Sequence, residues 1–116
     1  MKNFLAVFLG SAALLEAWRA MEEEERKEKE AVGVKAWTQW VADNKDAIVY
    51  MGSPLGKTKR ITKTGVSDTR NEMGAFTVVQ AESHDETAKM FIDHPHFIHF
   101  PGESVELMEC LPMPEM

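Results

Sequence analysis

The chain has 116 residues, 44% of them hydrophobic and 28% charged, and carries a formal net charge of -6. That length supports one domain, residues 1–116, around a single hydrophobic core, and the apolar fraction excludes a disordered chain. The acidic balance, with no clustered basic stripe, excludes a nucleic-acid backbone as partner, and no apolar stretch reaches the roughly 20 residues of a membrane span.

Lys2 followed by the apolar run Phe4–Leu15 imitates a secretory leader. Gly10 and Ser11 interrupt it, and its removal would delete a strand that the fold needs, so the expectation is a cytoplasmic protein without a membrane segment. The run Asn3–Leu9 (NFLAVFL) is apolar at nearly every position, the pattern of a strand buried on both faces. Ser11 can cap a short helix that carries Leu14, Leu15 and Trp18 toward the core.

Glu22–Asn44 predicts a long helix with acidic residues in its first turn, where the helix dipole favours them. Val34, Trp37 and Val41 share one face, Trp40 flanks it, and Gly33 permits close packing against a strand. The charge run EEEERKEKE reads as the solvated face. Ala47–Met51 predicts a second strand, and Thr58–Thr64 an exposed hairpin arm holding the only basic patch: Lys57, Lys59, Arg60 and Lys63. Gly65–Gly74 reads as a polar loop, with Asp68 and Arg70 as a salt-bridged or anion-recognising pair.

Ala75–Ala81 (AFTVVQA) is again apolar on both faces and predicts a second central strand. Ser83 with Glu86 three residues later forms a capping box, so a helix begins at His84. Ala88, Phe91 and Ile92 give that helix a buried face, and Pro95 ends it at His94. Ser104–Leu111 alternates, with Val105 and Leu107 on one side and Glu106 and Met108 on the other. The single cysteine, Cys110, excludes an internal disulfide and reads as a core thiol. The tail PMPEM has no periodicity.

Strand, helix, strand, hairpin, strand, helix, strand is a ferredoxin-like βαββαβ subunit, an α+β fold, with an extra hairpin arm. Two helices cover only one face of such a sheet. Because both central strands are apolar on both faces, the bare face should be buried, most simply against a second copy in a homodimer.

The segment VSDTRNEMGAFTVVQAESHDETAKMFIDHPHFIHFPGESVELMECLPMP resembles the YCII-related, DGPF-type proteins. In those, a V-(S/T)-D loop leads to a glycine and an apolar strand, then an S-x-(D/E)-E-A helix and a final alternating strand. MGSPLGK is similar to their connection after the first long helix. The resemblance implies a ferredoxin-like subunit in a dimeric α+β barrel with a cleft beside the sheet. In some members a His-Asp pair is proposed to act in acid-base chemistry. The DGPF tetrapeptide is replaced by Asp68-Thr69-Arg70-Asn71, so only Asp68 carries over.

His94, His96 and His99, next to Asp93, are the densest set of candidate bases and ligands, because imidazole titrates near neutral pH and a neighbouring carboxylate can fix its tautomer. Their spacing does not favour a metal site, and no metal or other cofactor is expected. A structural role stands beside the chemical one: His94 capping the end of the preceding helix, with Phe97 and Phe100 anchoring the turn. Glu106 would face the cleft with Met108, beside Phe76 or Phe8, where desolvation suits a carboxylate to acid-base work; an edge-strand charge is the plainer reading. His84 reads as exposed.

The sequence thus gives two functional expectations. One is acid-base chemistry on a small molecule, with Asp68 or Glu106 as carboxylate and His94 or His96 as its partner. The other is a non-catalytic small-ligand-binding or regulatory dimer, beside which a purely structural interaction role would show as a dimer without any cleft. A carboxylate within hydrogen-bond reach of a histidine inside the cleft separates them.

Overall fold

A computed structural model describes residues 1–114. Ten elements follow in order: β1 (Lys2–Leu9), α1 (Ala12–Ala20), α2 (Glu23–Asp43), β2 (Ile48–Pro54), β3 (Thr58–Thr62), β4 (Gly65–Thr69), β5 (Met73–Ala81), α3 (His84–Met90), α4 (Pro95–Ile98) and β6 (Ser104–Glu109). Four strands form an antiparallel sheet in the order β2-β5-β1-β6, which is the ferredoxin-like arrangement, and β3 and β4 pair separately as the hairpin arm. Of the tail, Pro112–Pro114 has no regular structure, and its last two residues lie outside the described ones.

The two apolar strand patterns form the centre of the sheet. β1 pairs with β5 on one side and β6 on the other. Phe4, Ala6 and Phe8 of β1 and Thr77, Val79 and Ala81 of β5 are buried on the face that the helices cover, where Phe91 and the partly buried Trp37, Trp40, Ile48, Val105 and Leu107 complete the core. On the opposite face Val7 is also buried, flanked by its register partners Phe76 and Glu106. That face carries no helix, and Tyr50 stands there 60% exposed against Phe76, 5.9 Å away between ring centres.

Both predicted caps form. The Ser11 side chain accepts from the Leu14 amide at 3.2 Å, and the Ser83 side chain from the Glu86 amide at 3.1 Å, each satisfying an amide that the first helical turn leaves free. The faces those helices present differ from expectation. In α1 no residue is buried and Leu14 is 40% exposed; the helix meets its surroundings through Trp18 against Phe100 and through the Arg19 carbonyl, which accepts from Arg26 of α2. In α3 the buried residue is Thr87, whose hydroxyl back-bonds to the Ser83 carbonyl, while Ala88 and Ile92 face out.

Val34 of α2 is exposed, and the contact with the core rests on Trp37 and Trp40. Trp40 donates its indole N–H to the Met90 carbonyl at 3.0 Å, tying α2 to the end of α3. Gly33 does pack closely, but on an aromatic ring rather than a strand: a Cβ there would stand 2.6 Å from Phe100 Cζ.

The polar loop expected over Gly65–Gly74 contains a strand, β4, and the start of β5. Cys110 is exposed rather than a core thiol; it lies just past the end of β6 at Glu109, its amide still donating to the Asn3 carbonyl of β1 at 2.8 Å.

Candidate functional site

An open cleft of about 1350 Å³ lies on the helix side of the sheet, between α2, the turn that follows α4, and the base of the hairpin arm. Phe8 and Thr77 belong to its floor, Trp37 and Thr38 to its α2 wall, and Phe100 closes one end. The hairpin side contributes Met51 to Lys59 and Asp68 to Thr77.

His96 lines this cleft, half-buried. It sits in α4, which begins with Pro95 at its first position, where the missing N–H costs nothing. Its Nε2 lies 2.9 Å from the Leu9 carbonyl at the end of β1, so Nε2 donates and the neutral ring carries its lone pair on Nδ1. Phe8 stands 5.2 Å away in an edge-on arrangement. Gly102 makes room for the ring, since any Cβ there would overlap the His96 carbonyl oxygen and ring carbons. Burial lowers the His96 pKa below 6.5, and hydrogen bonding to the Leu9 and Ser104 carbonyls pulls the other way.

His94 has a different place. It is 0% exposed and caps the start of α4, with Nδ1 accepting from the His96 amide at 3.0 Å, rather than capping the end of the helix before it. Its neutral ring therefore carries the proton on Nε2, which is buried with no hydrogen-bond partner among the described residues. Aromatic rings surround it, with Trp37 at 4.5 Å, Trp40 at 4.6 Å and Phe8 at 5.0 Å between centres. Burial, and then the positive charge of a protonated His96, lower its pKa to about 4. The ring is a neutral piece of the core.

The carboxylates expected beside these histidines stand elsewhere. Asp68 lines the hairpin side of the cleft, but its side chain is 83% exposed and bonds Lys59, directly opposite it in the β3–β4 register, rather than Arg70. Glu106 lies on the helix-free face of the sheet, across from Val7, and neither it nor Met108 lines the cleft. Of the other expected cleft residues, Phe8 and Phe76 both border it, although Phe76 alternates onto the face of the sheet that carries Val7. Asp93 is an exposed bend residue in left-handed backbone, φ 56°, that separates α3 from α4.

His99 packs its Cβ on Gly33. His84 is exposed as expected, and its Nε2 lies 2.8 Å from the Leu107 carbonyl. Phe97 is 40% exposed, so Phe100 alone anchors the turn, against Trp37 at 5.8 Å and Trp18 at 6.1 Å. No three His, Cys, Asp or Glu side chains converge among the described residues.

The arrangement is an apolar, aromatic cleft with one neutral imidazole whose tautomer a backbone carbonyl fixes. Sequence reasoning placed His96 in the right group of residues but missed α4. Pro95 reads equally as the stop of one helix and the first residue of the next, and His94 is the cap that the second reading requires.

No family model matches this chain, and no curated protein matches it significantly. Among solved structures, it is similar to 5-chloro-2-hydroxyhydroquinone dehydrochlorinase from Burkholderia phenoliruptrix in complex with 2,5-dihydroxybenzoquinone. The TM-score is 0.51 at 21% sequence identity, over 91% of this chain and 90% of that one. At this identity the likeness is one of fold, and it extends over about nine-tenths of each chain.

Proposed function

We propose that this chain is a YCII-related protein that binds a small, largely apolar molecule in the cleft, and that His96 exchanges a proton with it. The observation that carries this reading is the single neutral imidazole set among Phe8, Trp37 and Phe100. With Nε2–H tied to the Leu9 carbonyl, the lone pair is on Nδ1, and burial keeps the ring unprotonated at neutral pH, the state a proton acceptor needs. His94 serves as a positioning residue, because its Nδ1 holds the His96 amide and so fixes the start of α4. Asp68 sits at the hairpin side, where a bound molecule could draw it from Lys59. Glu106 has no place in this scheme, since it stands on the other face of the sheet.

The test uses 2,5-dihydroxybenzoquinone, the compound held by the structural neighbour, titrated against the protein while the imidazole resonances are followed by NMR. Saturable shifts centred on His96, lost in His96→Asn, are the expected result. Shifts that ignore His96, or none, would overturn it.

A non-catalytic binding dimer is the second reading, favoured by the absence of any carboxylate bonded to a histidine among the described residues. Solvent-hydrogen exchange into a bound phenol that is unchanged by His96→Asn would select it. In either case we infer a homodimer through the helix-free sheet face, where Val7 is already buried and Tyr50, Val78 and Phe76 offer apolar surface. Sedimentation as a monomer, or as a dimer indifferent to Val78→Lys, would remove that inference. No helix among the described residues is long and apolar enough to cross a membrane.

A further inference from the structure

The cleft reverses the electrostatics of the rest of the chain. Across a molecule of net charge -6, the residues lining this one space include Arg19, Lys57, Lys59 and Arg70 but only two carboxylates, Asp68 and Glu72. The Lys59–Asp68 pair cancels itself. That leaves three cations against Glu72 alone, and among the described residues none of the three has an ion-pair partner.

The cations come from separate elements. Arg19 closes the last turn of α1, Lys57 precedes β3, and Arg70 follows β4. Cations without an ion-pair partner among the described residues also occur elsewhere, at Lys35, Lys45, Arg60, Lys63 and Lys89, so what sets the cleft apart is that three of them from separate elements line one space. Guanidinium groups recognise carboxylates and phenolates through paired, charge-assisted hydrogen bonds, and a cleft with low-dielectric walls concentrates their field on whatever enters.

Resting on the cleft as the binding site, we propose that its ligand is an anion with a flat apolar body, such as an aromatic carboxylate. The body lies against the partly exposed Trp37 and Phe100 rings, and its charge meets Arg19, Arg70 or both. A polar hydrogen at the far end of such a molecule is the group within reach of His96. No bond is made or broken in this recognition. A neutral analogue keeps the aromatic contacts and loses the charge.

A matched pair of probes tests this directly: 6-hydroxy-2-naphthoate and its neutral counterpart 6-hydroxy-2-naphthamide, each titrated by calorimetry at low and high salt. The carboxylate is expected to bind roughly tenfold or more tightly than the amide, a preference that added salt erodes. In Arg19→Gln with Arg70→Gln the preference should shrink severalfold while amide binding stays the same. Because both arginines are exposed, the variants are expected to fold, and their circular dichroism would verify that. If carboxylate and amide bind equally, or the preference survives loss of both arginines, the anion assignment fails and the cleft remains a binding site. If neither probe binds and neither shifts His96, the cleft reading falls and this inference falls with it.

Discussion

The two walls of the cleft are built on different terms. On the helix side, Phe8, Trp37 and His94 interlock with Trp40 and Phe91, every neighbouring pair of rings within 6 Å between centres. On the hairpin side, β3 and β4 pair only with each other, and Ile61 and Val66 at the arm's end are 77% and 67% exposed. The first wall is part of what keeps the chain folded, so it can hold a group in one place. The second can move or change sequence at little cost to the core. A site that joins them has fixed chemistry on one side and adjustable selectivity on the other.

The contrast is broken most severely from the aromatic side. Phe8 is 1% exposed and touches Trp37, Phe91, His94 and His96, so Phe8→Ala removes its burial and leaves a cavity between rings that cannot all close in. A loss of about 3–5 kcal/mol in chemical denaturation is expected; a loss below about 1 kcal/mol would mean that the core is not organised around this ring.

Next in size is the pH response of His94. Its folded pKa of about 4 lies below the ordinary 6.5, so the unfolded chain takes up a proton that the folded chain refuses between those values. Stability from this group is complete above about pH 6.5 and declines as pH falls toward 4, by roughly 3 kcal/mol in all. Denaturation midpoints at pH 7, 6 and 5, mostly above the carboxylate range, should fall stepwise. His96 is shifted in the same direction, so His96→Gln identifies its share. A midpoint that is flat over this window would contradict a neutral, buried His94.

Gly33 joins the two regions at a third point, where α2 meets Phe100 at the closed end of the cleft. Alanine there gains helix propensity, about 1 kcal/mol, but its Cβ would press on a ring already held by Trp18 and Trp37. The expected net loss is about 1–2 kcal/mol, with the Phe100 resonances displaced. A gain in stability would mean that Phe100 is free to swing aside and that this end of the cleft is loose.

How much of this was legible in the sequence follows from the range of the forces involved. The four strands of the main sheet, both serine caps and the ferredoxin-like order were readable because periodicity and capping are settled within a few residues, whereas β4, mostly polar and exposed, read as a loop. The placement of Glu106 opposite Val105 and Leu107 was readable for the same reason, and the sheet alternates as expected. What the sequence did not carry is which side of the sheet the cleft occupies. That depends on the hairpin base meeting α2 and the Phe100 turn, contacts between residues far apart in the chain. Leu14 and Ile92 were misjudged likewise, since an apolar stripe tells which face of a helix seeks cover but not whether a neighbour reaches it. His94 and His96 look equivalent in sequence. They differ only because the Leu9 carbonyl reaches one and a cage of rings closes on the other.

The smallest effect is expected at the hairpin wall and sharpens the comparison most. Asp68 and Lys59 face each other across β3 and β4, but both side chains are largely in water, where ion pairs are screened and cost side-chain freedom to hold. Asp68→Asn should therefore change stability by no more than about 0.5 kcal/mol. The substitution also frees Lys59 at the cleft without disturbing the core, raising the positive charge available to an entering anion. Binding of 6-hydroxy-2-naphthoate should then tighten about twofold to fivefold at low salt while the amide is unaffected, the modest gain that one exposed cation provides. A variant that destabilises the fold by as much as Phe8→Ala would show that the arm is part of the core after all. Stability unchanged with binding altered would establish that this wall tunes selectivity while the aromatic wall keeps the structure.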